Sequence, residues 1–142
     1  MIYTDLTKLA MKLCFERHRD QVDKCGIPYP FHPFHVAESM TDEKTTCVAL
    51  LHDILEDTDT TGEELIELGF PDDVVEAVCM MTHEDGVPYM DYVRQIKTNP
   101  IARAVKISDL THNSDLSRLN TVTEKDLKRA EKYREALKIL TE

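Results

Sequence analysis

Residues 49–60 read Ala49-Leu50-Leu51-His52-Asp53-Ile54-Leu55-Glu56-Asp57-Thr58-Asp59-Thr60. Leu50, Leu51, Ile54 and Leu55 fall at i, i+1, i+4 and i+5, the spacing of an apolar helical face, while His52, Asp53, Glu56 and Asp57 occupy the adjoining face. Residues three or four apart on a helix are neighbours in space. Glu56 therefore sits one turn beyond His52 and Asp57 one turn beyond Asp53, so the four could line one wall of a pocket. A charge run on a helix is ordinarily a solvated face. A His-Asp pair inside an apolar run argues for the other reading, because burying carboxylates beside Leu and Ile costs several kcal/mol unless a cation or a hydrogen-bond partner compensates them. A metal ion would do so.

Working outward, Asp42 is placed to N-cap a helix over residues 43–55 that carries this stretch. Upstream, Leu6, Leu9, Ala10, Leu13, Cys14 and Phe15 recur at helical spacing and predict a first helix over residues 5 to about 24, ended by Gly26 and Pro28. Pro33 suits the first turn of a second helix over residues 33–40. Downstream, the acidic turn after Thr60 predicts a short helix to Leu68 with Gly69 as its stop. Pro71 opens another that should end near Thr82, with Val74, Val75, Ala77, Val78 and Met81 as its stripe. Pro88 and Asn99-Pro100 open two more, and residues 124–140 form a charged amphipathic helix with Leu127, Ala130, Tyr133, Leu137 and Leu140 inward. No alternation of period two persists anywhere. The expected fold is an all-α bundle of about seven or eight helices, a single domain over residues 1–142.

A chain of 142 residues can bury about two thirds or more of its unfolded surface in one core. No apolar run approaches the roughly 20 residues of a membrane span, and no signal peptide is expected from the Met-Ile-Tyr-Thr-Asp start. Cys14, Cys25, Cys47 and Cys79 never form Cys-x-x-Cys, which reads as reduced thiols in a cytoplasmic protein. A formal net charge of −10 argues against nucleic acid or an anionic membrane as partner. A small anionic substrate would need a local cationic patch or a metal.

Candidate ligands for a metal are few. His32 precedes Pro33 and His35 lies three residues on, so either could serve. His52 and Asp53 are about 100° apart around a helix axis and can still converge on an ion over that edge. Asp109 follows the apolar run Ala104 to Ile107 and starts from within the core. Mixed imidazole and carboxylate ligands suit manganese, iron or similar ions, with positions left for water.

His32, the His52-Asp53 pair and Asp109 together resemble the His…His-Asp…Asp pattern of the HD-domain metal-dependent phosphohydrolases. More narrowly, residues 9–119 resemble the hydrolase domain of the RelA/SpoT family and the small alarmone hydrolases. The likeness rests on three stretches. Gly26-Ile27-Pro28-Tyr29-Pro30-Phe31-His32-Pro33 is similar to that family's Gly-x-Pro-Tyr-x-x-His-Pro, Leu50 to Thr58 to its Leu-Leu-His-Asp-x-x-Glu-Asp-Thr, and Val105-Lys106-Ile107-Ser108-Asp109 with Asn113 to its Val-Lys-Leu-Ala-Asp…Asn.

The resemblance implies His32, His52, Asp53 and Asp109 as ligands of a divalent ion, Mn2+ in the first instance. It implies Glu56 and Asp57 as the residues that position and activate the attacking water, and Lys24, Lys106 and Asn113 as phosphate or nucleotide contacts. The reaction it implies is hydrolysis of the 3′-pyrophosphate of guanosine tetra- or pentaphosphate, (p)ppGpp; the size of the chain is compatible with a monomer or a homodimer. Two alternatives stand beside it: an HD-superfamily 5′-nucleotidase or other phosphomonoesterase, and a nucleotide-sensing module without turnover. The chain departs from the family where Asp23-Lys24 stands in place of a common Arg-Lys, and again at Thr82-His83-Glu84-Asp85.

Overall fold

A computed structural model describes residues Met1–Glu142. Helix α1 (Asp5–His18) begins at a capping box in which Thr4 Oγ1 accepts from the Thr7 N–H and Thr7 Oγ1 accepts from the Thr4 N–H. It stops at His18, short of the expected residue 24. The reason is local: Asp23 N–H donates to the Ile27 carbonyl and Tyr29 N–H to that of Gln21, so the backbone from Gln21 onward is committed to a tight reversal. Gly26 turns that reversal with φ +79.

Helix α2 (Phe31–Glu38) starts two residues earlier than expected, which places His32 in its first turn, where Pro33 leaves no helical hydrogen bond unmade. Helix α3 (Glu43–Leu51) is capped by Asp42, whose Oδ1 accepts from Thr45 N–H at 2.8 Å, and every residue from Thr45 to Leu51 is buried. It is the axis of the molecule, packed against α1, α2, α6 (Asp72–Met80) and α8 (Pro100–Asn113).

The predicted continuous helix over residues 43–55 is broken. His52 Nδ1 donates to the Ala49 carbonyl at 2.6 Å, the acceptor that the Asp53 N–H would use in an unbroken helix, and Asp53 adopts φ −102, ψ 1. The chain resumes as the single turn α4 (Ile54–Asp57). Two bonds fix that turn: Gln21 Nε2 donates to the Asp57 carbonyl at 2.9 Å and Thr58 Oγ1 to that of Ile54 at 2.6 Å.

Of the remaining helices, α5 (Gly62–Glu67), α6 and α9 (Glu124–Thr141) start and stop within about two residues of the expected bounds, and α7 (Tyr89–Lys97) and α8 start where expected. A 3-10 turn, Leu116–Arg118, joins the last two, and α9 lies along α7 and α8. With α3 and α4 counted as the one helix the sequence foretold, the bundle has the expected eight; only an isolated bridge, Val22 to Pro28, pairs extended backbone. The stripe of α6 is buried as read. On α9 the reading needs correction: Leu127 is 50% exposed, because inward packing begins a turn later at Ala130 and includes Ala136. Phe15, read as part of the apolar face of α1, is exposed as well.

Leu50 is fully buried on the central helix. Leu50→Ala should lower unfolding free energy by about 2–5 kcal/mol, whereas Leu127→Ala should change it by less than about 0.5 kcal/mol; urea denaturation of the two variants checks the assignment.

Candidate metal centre and active site

Three helical segments deliver four ligand-type side chains to one point. His32 comes from the first turn of α2, His52 and Asp53 from the break between α3 and α4, and Asp109 from α8. His32 Nε2 lies 2.8 Å from Asp109 Oδ1 and 3.9 Å from Asp53 Oδ2; His52 Nε2 lies 3.0 Å from Asp53 Oδ2 and 3.3 Å from Asp109 Oδ1. The ligand atoms of His32, His52 and Asp109 all fall within 4.8 Å of one another, and Asp53 stands at the edge of that set. The helix break matters here, since it turns Asp53 towards the imidazole that precedes it.

The surroundings fix each group. A carbonyl oxygen only accepts, so the bond to Ala49 requires a proton of His52 on Nδ1 and makes Nε2 the atom that takes either a second proton or a cation. That Nε2 is buried, points at two carboxylate oxygens and makes a hydrogen bond with neither. A cation is what such an orphaned atom and its two anionic neighbours fit, and two imidazoles with two carboxylates form a donor set suited to a divalent transition ion. Asp109 is further held by Lys106 Nζ at 2.9 Å to Oδ2 and by Asn113 Nδ2 at 3.0 Å to Oδ1, and the Tyr29 hydroxyl donates to Asp53 Oδ2.

Charge follows from this packing. Burial pushes the His52 imidazolium towards losing its proton, yet Asp53 and Asp109 outweigh burial and raise its pKa well above the ordinary 6.5. Burial opposes ionisation of Asp109, and Lys106 with His52 overcomes it, holding that carboxyl well below the usual range. Asp53 is lowered to about 2 in the same way, chiefly by His52 against burial.

Glu56 and Asp57 on α4 line a cleft of about 310 Å³ beside this cluster. Burial raises both carboxyls, with the negative charge of Asp53 adding to it. Glu56 Oε1 accepts from the His83 backbone N–H at 3.1 Å. Lys24, Lys106 and Asn113 line the same cleft. Lys106 is no surface lysine, being 9% exposed and bonded to Asp109, and Asn113 also spends its amide on Asp109. Lys24 sits where this cleft meets a second one of about 300 Å³, lined also by Asp23, Arg118, Arg129 and Tyr133. Burial, then Arg129, Lys125 and Lys132, lowers the Lys24 pKa, the mark of a cationic patch.

Several residues escaped the sequence reading. Asp23 is not a free anion facing that patch. Its Oδ1 accepts from the N–H groups of Cys25 and Ile27, and Arg118 Nη1 donates to Oδ2 at 3.3 Å across 95 residues of chain. Tyr29, quoted above only as part of the loop motif, is the partner of Asp53. His112 was not singled out as a site residue. Its ring is coplanar with that of His32 within 10°, and burial, then Arg118, His32 and His35, lowers its pKa to about 4. His35, the alternative to His32 as ligand, lies outside the cluster with its ring 4.1 Å from that of His112.

The HD domain family profile matches residues 10–139. Guanosine-3′,5′-bis(diphosphate) 3′-pyrophosphohydrolase MESH1 of Mus musculus is 38% identical over 123 residues, which are 77% of this chain and 68% of that protein; the Homo sapiens counterpart is 39% identical over the same shares. The guanosine-3′,5′-bis(diphosphate) 3′-pyrophosphohydrolase of Aquifex aeolicus is 47% identical over 62 residues, 41% of this chain, and the chain spans only 9% of that longer protein. A solved structure of a metazoan ortholog of SpoT, described as hydrolysing ppGpp, superposes with a TM-score of 0.76 at 24% identity, covering 99% of this chain and 88% of the other, and shares the fold.

His52 must lose a proton before Nε2 can bind a cation. Since its pKa is raised in the folded protein, the stabilisation it gives the cation-free form is complete below 6.5 and is lost as pH rises through the folded value. A cation competes with that proton, so Mn2+ affinity should rise with pH through neutrality, with protons released on binding. Calorimetric titration in buffers of different ionisation enthalpy reads both, and His52→Ala should abolish the proton release.

Proposed function

The chain belongs to the HD-domain family, and from that premise we propose that it is a metal-dependent phosphohydrolase that removes the 3′-pyrophosphate of (p)ppGpp, with residues 1–142 as one catalytic domain. The observation that carries the reading is the buried, unpartnered Nε2 of His52 at the meeting point of His32, Asp53 and Asp109, with Glu56 and Asp57 on the wall of the adjoining cleft. The names of the MESH1 relatives, which the chain covers over two thirds of their length, support the substrate.

His32, His52, Asp53 and Asp109 would hold a divalent ion, Mn2+ in our reading. When bound, such an ion supplies a water of lowered pKa and screens charge growing on the phosphoryl oxygens. The residues of the chain do the rest. Glu56 has one oxygen tied to the His83 N–H, which fixes the carboxylate plane and leaves its second oxygen for the proton of the attacking water. Burial keeps its pKa above that of a solvated glutamate, and a base nearer neutrality takes the proton more effectively. Asp57, raised for the same reason, shares that wall. Lys106 offsets the charge of Asp109, and Asn113 keeps the Asp109 carboxylate in plane.

A chain of net charge −10 needs a local counter-field to admit a polyphosphate. Lys24 with Lys125, Arg129 and Lys132 of α9 provides it at the junction of the two clefts. In this reading the reacting phosphorus lies in the cleft beside Glu56 and the nucleoside end in the second cleft beside Arg129, and the lining of both clefts by Lys24 supports it.

Mn2+-loaded protein should release pyrophosphate and GDP from guanosine tetraphosphate, and Glu56→Gln should lower kcat by about 10²–10⁴ while Mn2+ affinity is retained. Release of orthophosphate instead would reassign the chain to the phosphomonoesterases. Nucleotide binding without release of either product would make it a sensor.

A further inference from the structure

We infer that His112 is a positioning residue for the metal centre: its Nδ1 accepts the Nδ1–H of His32 and thereby aims the bare Nε2 of His32 at the cation. The inference rests on the ligand set proposed above and goes beyond it.

The two Nδ1 atoms are 2.7 Å apart. The ring centroids are 5.0 Å apart and the planes differ by 10°. Rings that close at their nitrogens and that nearly coplanar lie edge to edge, the arrangement an in-plane N–H···N bond requires. One of the two nitrogens must carry the proton, and each choice has a consequence. Were His112 the donor, the neutral His32 ring would carry its own proton on Nε2, the atom that faces Asp109 at 2.8 Å and the other ligands, and could not coordinate. With His32 as donor, Nε2 is free. No other protein group bonds to His32 Nδ1, so the tautomer of this ligand depends on His112.

His52 solves the same problem differently, with a backbone carbonyl that no substitution of a side chain removes. The acceptor for His32 is a replaceable side chain, held from three directions. Asp109 and His112 are one turn apart on α8, so a ligand and the acceptor for another ligand share a helix face. His35 packs against the His112 ring at 4.1 Å, and Arg118 Nη2 donates to the His112 carbonyl at 3.2 Å. Arg118 thereby links His112 to the Asp23 loop, through Nη1 to Asp23.

The test compares wild type, His112→Phe and His112→Asn by calorimetric titration of the metal-free proteins with Mn2+, with thermal unfolding of the metal-free forms alongside. Phe keeps a ring and removes the acceptor; the Asn amide oxygen replaces it. Loss of an orienting partner weakens metal affinity by about 10–100-fold, so Phe should bind that much more weakly and Asn should recover most of the difference, at equal melting temperatures. A purely structural role predicts affinity losses that track melting temperature in both variants. Long-range 15N NMR of the zinc-loaded wild type needs no variant and should show the His32 proton on Nδ1 and a bare Nδ1 on His112. A proton on His112 Nδ1, or His112→Phe binding as tightly as wild type, overturns the inference. A wild type that binds neither ion overturns the metal-centre reading and this inference with it.

Discussion

Two carboxylates, Asp109 buried in the all-helical core and Asp53 half-buried at the wall of the cleft, face one buried imidazole, that of His52. Uncompensated, each such charge would cost several kcal/mol, a large share of what a domain of this size has as net stability. The structure compensates them with Lys106, Asn113, Tyr29 and the raised proton affinity of His52. Every other feature of the site follows from the need to bring those partners in. The helix must break at Asp53 for its carboxylate to reach His52, α8 must run past α3 to present Asp109, and the loop before α2 must fold back for Tyr29 to reach Asp53.

The break also explains how the carboxylates of Glu56 and Asp57 can follow His52 and Asp53 so closely in sequence without competing for the same space. Had α3 continued, Glu56 and Asp57 would lie on the same face as His52 and Asp53, four ionisable groups in one row. With the restart at Ile54, α4 is pinned by Gln21 and Thr58, and Glu56 is taken up by the His83 N–H across the cleft. The residues of the loop after α6 thus enter the site through the backbone, and their side-chain identity matters less there than the position of one N–H. His83 secures that position, its Nε2 donating to the Val87 carbonyl and its ring stacked at 4.6 Å on Tyr92.

The helices, and the meeting of His32, His52 and Asp109, were legible for different reasons: the helices are written in local spacing, whereas His32 was told from His35 only by the motif resemblance. Periodicity located the buried faces of α3, α6 and α8, and the apolar run around His52-Asp53 marked buried charge. The helix break was not legible, since it depends on a side chain competing for a carbonyl, and His52 has the same helix propensity either way. The partners of Asp23 and His32 were illegible for a different reason. Arg118 and His112 are 95 and 80 residues away, and nothing in a composition or a motif pairs them. Asp23 read alone was an anion subtracting from a phosphate site; beside Arg118 and capping two backbone N–H groups it is a structural residue of the loop, and the cationic field comes from α9.

This arrangement sets how the fold and the cation relate. In sites where metal is the fold's main support, the ligands have no other partners and the apo chain unfolds. Here each carboxylate already has a protein donor, and the proton of His52 stands where a cation would put its charge. The core beneath, from Thr45 to Leu51 on α3 and its neighbours on α1, α6 and α8, does not pass through the site. A cation bound here would therefore exchange with a proton inside a cavity that is already built, leaving the fold of the chain to its helices.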